Sequence, residues 1–220
     1  MGLGGFAHEF AAAGRPSSLP ERAELAKMNI DICRRLWRGE KFSYTSDYFE
    51  FDNVSLMPKP AKPVPIWMGG GTPASCRRAA DYGDGWMPAR ITLATFAKRV
   101  EYLYELCGRA GKPLVETAVM PLTTIASTPE LSLRGVDLKA LLDDSYNFST
   151  WVKPASGNFS TLDDIRGAIL AGTPDDITRE TRAYENAGAN HVVYDLRLRF
   201  DDWYKQIDLL GREVLPALRA

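Results

Sequence analysis

The sequence predicts an α/β fold in which parallel strands alternate with helices. Short apolar runs of strand length recur along the chain. Most of them are followed by a Gly or Thr that is typical of a helix start, and then by a stretch with apolar residues at helical spacing. Strands and helices that alternate in this way connect through right-handed crossovers into a parallel sheet. The 220 residues are 45% hydrophobic and 25% charged, which is typical of a compact domain.

The first long helix is predicted to begin after Ser18 and to end at Gly39. Ser18 and Glu21 have the spacing of a capping box, and Gly39 is a typical helix stop. The apolar residues that repeat at helical spacing behind the cap are Leu25, Met28, Ile32 and Leu36. Residues 40–63 lose this periodicity and become rich in proline, so we predict a long irregular loop there.

From residue 64 onward the pattern alternates between strand and helix. The predicted strands are 64–68, 85–88, 116–126 and 191–196. The residues predicted to start the helices between them are Thr72, Thr92 and Thr173. Residues 127–171 are predicted as an insertion with one or two helices, near 136–146 and 161–171. Trp203 and the apolar residues behind it mark a terminal amphipathic helix.

Charge and composition argue against several classes of protein. Lys and Arg number 27 against 28 Asp and Glu, whereas nucleic-acid and membrane-surface binders carry a basic excess or a basic face. No apolar run reaches the roughly 18–20 residues of a membrane helix, and the N-terminus lacks a secretory signal. We therefore expect a cytoplasmic protein that has no nucleic-acid or membrane partner.

Cysteine and histidine content bears on metal and nucleophile chemistry. The three cysteines are widely spaced without a C-x-x-C motif, which predicts reduced thiols rather than a disulfide framework or a zinc site. His8 and His191 are the only histidines, and no H-E-x-x-H, G-x-S-x-G or Walker A motif is present. We expect no metal site.

A glycine triplet lies between a predicted strand and a predicted helix. Gly69, Gly70 and Gly71 are followed directly by Thr72 and Pro73. Glycine lets a backbone approach an anion closely, and the free amides at a helix N-terminus attract phosphate. The residues alone leave two interpretations open, a phosphate site or a tight turn that binds nothing.

Short sequence motifs surround the triplet and follow one another along the chain in a defined order and at defined spacings. They are Met57-Pro58-Lys59-Pro60, Pro65-Ile66-Trp67-Met68-Gly69-Gly70-Gly71, Arg77-Arg78-Ala79-Ala80, Gly83-Asp84-Gly85-Trp86-Met87-Pro88 and Gly172-Thr173-Pro174. With the opening Gly2-Leu3-Gly4-Gly5 and His8-Glu9-Phe10, the chain resembles the bacterial luciferase-like monooxygenase family, in particular its deazaflavin-dependent branch.

The resemblance implies a (βα)8 TIM-barrel type of fold that binds FMN or the deazaflavin coenzyme F420 at the carboxyl ends of its strands. Gly69, Gly70, Gly71 and Thr72 would bind the cofactor phosphate. The loop that holds Gly4 would also contact the cofactor, and His8 is the candidate catalytic proton donor, since imidazole exchanges protons near neutral pH.

Strands that precede the 2–5 loop in that family have no counterpart in these 220 residues. We therefore expect an incomplete, N-terminally truncated barrel of four to five C-terminal βα units, forming one domain over residues 1–220. Its open sheet edges favour a homo-oligomer.

The leading functional hypothesis is a flavin- or deazaflavin-dependent oxidoreductase or monooxygenase that acts on a small molecule by hydride transfer or oxygen activation. One alternative is a non-catalytic truncated homologue, a half-barrel that binds a ligand or a partner chain. The other is a phosphate-binding barrel enzyme without flavin, such as a lyase or an isomerase.

Overall fold

The structure is a computed structural model that describes residues 1–14 and 18–219. Its strands are β1 Phe42–Thr45, β2 Glu50–Val54, β3 Trp67–Gly69, β4 Gly85–Met87, β5 Glu116–Val119, β6 Leu122–Ile125, β7 Ile169–Gly172 and β8 His191–Val192. Its helices are α1 Ala7–Ala12, α2 Leu19–Trp37, α3 Pro73–Tyr82, α4 Leu93–Arg109, α5 Pro129–Ser132, α6 Leu138–Leu142, α7 Ser145–Phe148, α8 Pro174–Asn186, α9 Trp203–Leu209 and α10 Leu215–Arg219. A π-helical stretch, Leu210–Val214, joins α9 to α10.

The centre of the fold is a parallel sheet in the order β3-β4-β5-β8. A second parallel pair, β6 and β7, joins it through a bridge between Leu122 and Asp195. On the far side of β3, the amino group of Met1 donates to the carbonyl of Trp67 at 2.6 Å, and Gly69 N donates to Met1 O at 2.7 Å. Met1 thus pairs with the free edge of β3, and the predicted α/β architecture is confirmed.

The threonines predicted to start helices do so by capping them. The Oγ1 atoms of Thr72, Thr92 and Thr173 accept hydrogen bonds from the backbone N–H three residues later, at 3.2–3.3 Å. At α8 the capping box is complete, since Thr173 N donates to the Asp176 carboxylate at 2.9 Å. Ser18 caps α2 in the same way.

The prediction of an irregular loop over 40–63 is wrong for part of that segment. Residues 42–54 form the antiparallel hairpin β1–β2. The hairpin is stabilised by aromatic pairs, because the Phe51 ring lies 5.4 Å from Phe42 and 5.8 Å from Tyr44. Arg35 of α2 adds a guanidinium 3.7 Å from the Phe42 ring centre. In the sequence, the aromatic residues at alternate positions of this segment could have indicated the hairpin.

The predicted helix near 161–171 is also wrong. Only a 3-10 turn, Asp163–Ile165, forms there, and the buried run that follows is β7, paired in parallel with β6. A short apolar run has no periodicity that separates a strand from a buried helix. The predicted single strand over 116–126 is two strands, interrupted at Pro121, which lacks a ladder donor.

The core lies between the sheet and helices α3, α4 and α8. Trp86, Phe96 and Tyr184 are fully buried. The Phe96 ring stacks on Trp86 with ring centres 5.6 Å apart and meets Tyr184 edge to face at 5.2 Å. The Tyr184 hydroxyl donates to the carbonyl of Ile91 at 2.8 Å, so its polar atom is satisfied. Within the part of the chain that the structure describes, no helix is long and apolar enough to cross a membrane.

Candidate functional site

A cleft of about 600 Å³ opens at the carboxyl ends of β3 and β4. Three chain segments form most of its floor and sides, namely residues 2–5, residues 69–72 (the glycine loop) and residues 88–90, which follow β4. Its cover is the segment 144–152 (the roof), which contributes Asn147, Thr150 and Trp151. The carboxyl ends of parallel strands are the usual position of barrel active sites.

The glycine loop is held by hydrogen bonds on its inner side. The Gly70 carbonyl accepts from Trp86 Nε1 at 3.0 Å and from Ser75 Oγ. The Gly71 carbonyl accepts from Arg99 Nε at 3.2 Å. Because the N–H of a trans peptide points opposite to its C=O, the amides of Gly71 and Thr72 face the cleft. Among the described residues, neither amide donates to a protein acceptor.

Gly70 has a backbone conformation that only glycine adopts without strain. Its φ is +106°, and a Cβ at this position would lie 3.2 Å from the Cβ of Ser75. Both carbonyl contacts and the turn into α3 depend on that conformation. The loop is therefore a preformed cradle with two outward amide donors at the N-terminus of a ten-residue helix.

The opposite wall of the cleft, residues 2–5, is held by Arg22 of α2. The Arg22 side chain is buried, and its Nη1 donates to the carbonyls of Gly4 at 2.9 Å and Leu3 at 3.2 Å. Its guanidinium also lies 4.7 Å from the Phe10 ring centre. Gly4 has a φ of +76°, and a Cβ there would overlap the Phe10 ring. Arg22 thus fixes the shape of this wall.

The cleft carries positive charge. Arg78 and Arg90 are the charged residues of its lining, and no carboxylate is among the lining residues of the described chain. The Nε atom of Arg78 is buried and has no hydrogen-bond partner in the described residues. A buried guanidinium N–H without an acceptor is costly, which makes this atom an open donor for an anion.

Arg90 also connects the roof to the segment that follows β4. It forms an ion pair with Asp144, whose carboxylate accepts from the backbone N–H of Asn147 at 3.2 Å. Burial, and then the neighbouring charge of Arg197, lower the pKa of Arg90 from its ordinary value.

Two further contacts hold the roof, and both come from helix α4. Arg99 Nη2 donates to the Thr150 carbonyl at 3.2 Å, and Thr95 Oγ1 accepts from Val152 N at 2.8 Å. Between these anchors, the buried Trp151 packs its ring 5.5 Å from that of Phe148.

The structure brings most of the predicted site residues together and leaves one apart. The five that line the cleft are Gly4, Gly69, Gly70, Gly71 and Thr72. His8 is an exposed residue of α1, 5.7 Å from the Phe6 ring, and is not part of the cleft lining. The binding and catalytic roles of all six stay predictions.

Sequence reasoning did not find Arg22, Arg90, Arg99 or the roof as parts of the site. Arg22 and Arg99 donate to backbone carbonyls that are distant in sequence, and no local sequence pattern predicts such a hydrogen bond. His191 lies at the start of β8, 3.4 Å from the Glu116 carboxylate and against the Trp67 ring.

The chain matches known proteins along most of its length. The sequence profile of the luciferase-like monooxygenases covers residues 1–191. An F420-dependent glucose-6-phosphate dehydrogenase from Amycolatopsis mediterranei is 24% identical over 100% of this chain and 69% of the relative. The same enzyme from Nakamurella multipartita is 26% identical over 91% of this chain and 61% of the relative. The chain therefore spans about two thirds of the length of these relatives.

Solved structures share the fold. An F420-dependent secondary alcohol dehydrogenase, in complex with an F420-acetone adduct, has a TM-score of 0.76 at 23% identity, over 100% of this chain and 68% of the other. The oxygenating constituent of 3,6-diketocamphane monooxygenase from Pseudomonas putida, in complex with FMN, has a TM-score of 0.76 at 18% identity, over 99% and 70%. These likenesses confirm the predicted barrel-type fold.

Proposed function

The chain belongs to the luciferase-like monooxygenase family, and we propose that it is an oxidoreductase that uses a flavin or deazaflavin, with coenzyme F420 favoured over FMN. The cofactor would bind through its phosphate in the cleft above β3 and β4. The preference for F420 rests on the curated relatives that match the chain, which include glucose-6-phosphate dehydrogenases and a hydroxymycolic acid dehydrogenase described as F420-dependent.

The observation that supports this proposal best is the set of free donors in the cleft. The amides of Gly71 and Thr72 face it, and within the described residues neither these amides nor the buried Nε of Arg78 has a protein acceptor. Two backbone N–H groups beside the guanidinium of a lining arginine fit the oxygens of a phosphate, which can accept several hydrogen bonds at once. Without an anion, these donors would have only water as a partner.

Shape supports the same ligand. Gly69, Gly70 and Gly71 present only backbone toward the cleft, and a side chain at Gly70 would enter an already crowded turn. A ligand can therefore lie directly against the chain. A cleft of about 600 Å³ is within the ordinary range for cofactor sites.

When bound, F420 supplies hydride chemistry to a small-molecule substrate, and FMN would also allow oxygen activation. The chain's own residues bind and orient. Gly70, Gly71, Thr72 and Arg78 would hold the phosphate, and residues 2–5, fixed by Arg22, would form the wall opposite the glycine loop. Trp151 and the roof would exclude water from the reacting groups.

A binding experiment tests this proposal. We would titrate the purified chain with F420, with FMN, and with riboflavin, which is FMN without its phosphate. Arg78→Ala should weaken FMN and F420 binding about 10- to 100-fold, the value of one or two charge-assisted hydrogen bonds, and should leave riboflavin binding unchanged.

Arg77→Ala is the matched control. Arg77 is the neighbouring arginine of α3, but it is exposed and donates to the Tyr102 hydroxyl at 3.0 Å, away from the cleft. Equal effects of the two substitutions, or equal affinity for FMN and riboflavin, would contradict a phosphate site at the glycine loop. If the chain binds none of the three compounds, the result would support the alternative of a non-catalytic homologue.

A further inference from the structure

We propose that Arg99 is a positioning residue that joins the glycine loop and the roof into one unit, so that an anion bound at the loop also orders the roof. This inference rests on the proposed function, because it concerns the same cleft. The new element is that binding of the phosphate and closing of the roof are coupled.

Arg99 contacts two separate segments of the cleft. Its guanidinium donates through Nε to Gly71 O and through Nη2 to Thr150 O, both at 3.2 Å. The guanidinium is planar and rigid, so it fixes the two carbonyls relative to each other. One of them belongs to the floor of the cleft and the other to its cover.

The two peptide groups that Arg99 contacts lie on opposite sides of the cleft. The Gly71 carbonyl and the Thr72 N–H belong to one peptide, so the contact with Arg99 turns that N–H toward the cleft. An anion that accepts from Thr72 N polarises the peptide and strengthens the bond from Arg99 to Gly71 O. On the other side, holding the Thr150 carbonyl positions Thr150 and Trp151 over the cleft.

Helix α4 supplies a second contact to the roof beside Arg99. Thr95, four residues before Arg99 on α4, accepts from Val152 N at 2.8 Å, so both contacts lie on one face of the helix. Besides the roof, the Thr95 hydroxyl contacts Thr92 Oγ1 of its own helix at 2.6 Å, whereas Arg99 contacts the roof and the glycine loop. This difference provides a built-in control for any claim of coupling.

Linkage makes the consequence measurable. If the anion binds more tightly when Arg99 holds both carbonyls, then the bound anion must favour the closed roof by the same factor. A lysine at this position keeps the charge but offers a single flexible nitrogen in place of the rigid Nε–Nη2 fork. It should therefore not fix the two carbonyls relative to each other and should uncouple the two events.

Hydrogen exchange of the roof amides tests the inference on the intact chain, with inorganic phosphate as the probe. Binding is followed independently by the shift of the Thr72 amide resonance. In the unsubstituted protein, saturating phosphate should slow exchange in segment 147–152 several-fold. In Arg99→Lys, phosphate should still bind, within about tenfold of its original affinity, but exchange in 147–152 should no longer respond. Arg99→Gln, which retains one donor group, should lose the response too and serves if the lysine variant folds poorly.

Two controls separate the outcomes. Thr95→Val should speed hydrogen exchange of the roof amides without ligand, while the response to phosphate persists. Arg77→Lys should change neither the exchange rate without ligand nor the response to phosphate. If phosphate binds and the roof does not respond, or if Arg99→Lys and Arg99→Gln retain the response, the coupling through Arg99 is wrong and the phosphate site stands. If phosphate does not shift the Thr72 amide at all, the proposed function fails, and this inference falls with it.

Discussion

The floor and the roof of the cleft are built in different ways. The glycine loop lies between strand β3 and helix α3, and the two side chains that hold its Gly70 carbonyl, Ser75 and Trp86, are fully buried. The roof consists of irregular chain and the four-residue helix α7, attached through Asp144, Thr150 and Val152. The floor is therefore organised before any ligand arrives, whereas the roof depends on a few hydrogen bonds, one ion pair and one buried ring, that of Trp151.

This difference predicts where substitutions act. Groups that are packed in a core open only with global unfolding, while short segments with few contacts open locally at much lower free energy. A helix of four residues has little stability of its own. Changes in the floor should therefore alter binding and folding stability together, and changes in the roof should alter local opening and affinity with little effect on folding.

The largest effect is expected for Gly70→Val. A valine at a φ of +106° is strained, and its Cβ would press on Ser75, so we expect a loss of about 1–3 kcal/mol in the free energy of unfolding. Displacement of the Gly71 amide should reduce cofactor affinity at least 100-fold. Denaturant titration and cofactor titration measure the two. Gly108→Ala, in α4 with open space around it, is the control and should leave both unaltered or slightly raise stability.

Trp86→Phe should have the next largest effect. It removes the Nε1 donor of the Gly70 carbonyl while keeping most of the buried ring. Loss of one buried hydrogen bond costs about 1–2 kcal/mol, and the less constrained Gly71 amide should reduce cofactor affinity about tenfold. Urea unfolding combined with a binding titration checks this. A variant with lower stability and undiminished affinity would show that the floor is not organised through this bond.

Asp144→Asn tests the roof side of the comparison. It removes the ion pair with Arg90 but keeps an acceptor for Asn147. The two side chains are only 23% and 17% exposed, but Arg90 lines the open cleft and can be hydrated there once the carboxylate is removed. We therefore expect the free energy of unfolding to fall by no more than about 1 kcal/mol. Limited proteolysis within 138–152 should become several-fold faster. Global destabilisation without faster local cleavage would mean that the roof is part of the cooperative core.

Alkaline pH should weaken the floor. Burial raises the pKa of the Cys76 thiol, on helix α3 behind the glycine loop, from 9.0 to about 11, and also raises the pKa of Tyr184. The unfolded chain therefore loses these protons first, so the stabilisation is complete below about pH 9 and is lost as the pH rises toward 11. The Cys76 contribution is on the order of 2 kcal/mol. Cys76→Ala should flatten part of this decline in a series of thermal melts, and an unchanged slope would exclude Cys76 as its source.

The smallest effect on binding is expected for His8→Ala. The side chain is exposed and outside the cleft lining, so cofactor affinity should change less than twofold. The sequence-based prediction of a catalytic role is separate, and it requires the neutral-pH limb of the activity profile to disappear in this variant. An unaltered profile would remove His8 from the mechanism.

Sequence reasoning succeeded where a local signal determines the structure. Thr72, Thr92 and Thr173 cap helices because side chain, turn and helix start all lie within four residues, and the glycine loop carries its conformation in its own composition. The hairpin at 42–54 and strand β7 were missed because their partners are distant or their runs too short to show a period. Arg99 belongs to the same class, since its two acceptors are backbone carbonyls that no sequence pattern specifies.

The amide resonances of Gly71 and Thr72 provide the most direct test of the central claim, that these two backbone groups bind the phosphate of a flavin or deazaflavin. A ¹⁵N–¹H spectrum would be recorded during titration with F420 or FMN, and with riboflavin as the phosphate-free counterpart. We predict large downfield proton shifts of both amides with F420 or FMN and small shifts with riboflavin. If both resonances stay in place while others in the protein move with bound F420 or FMN, the phosphate lies elsewhere and this account of the cleft is wrong.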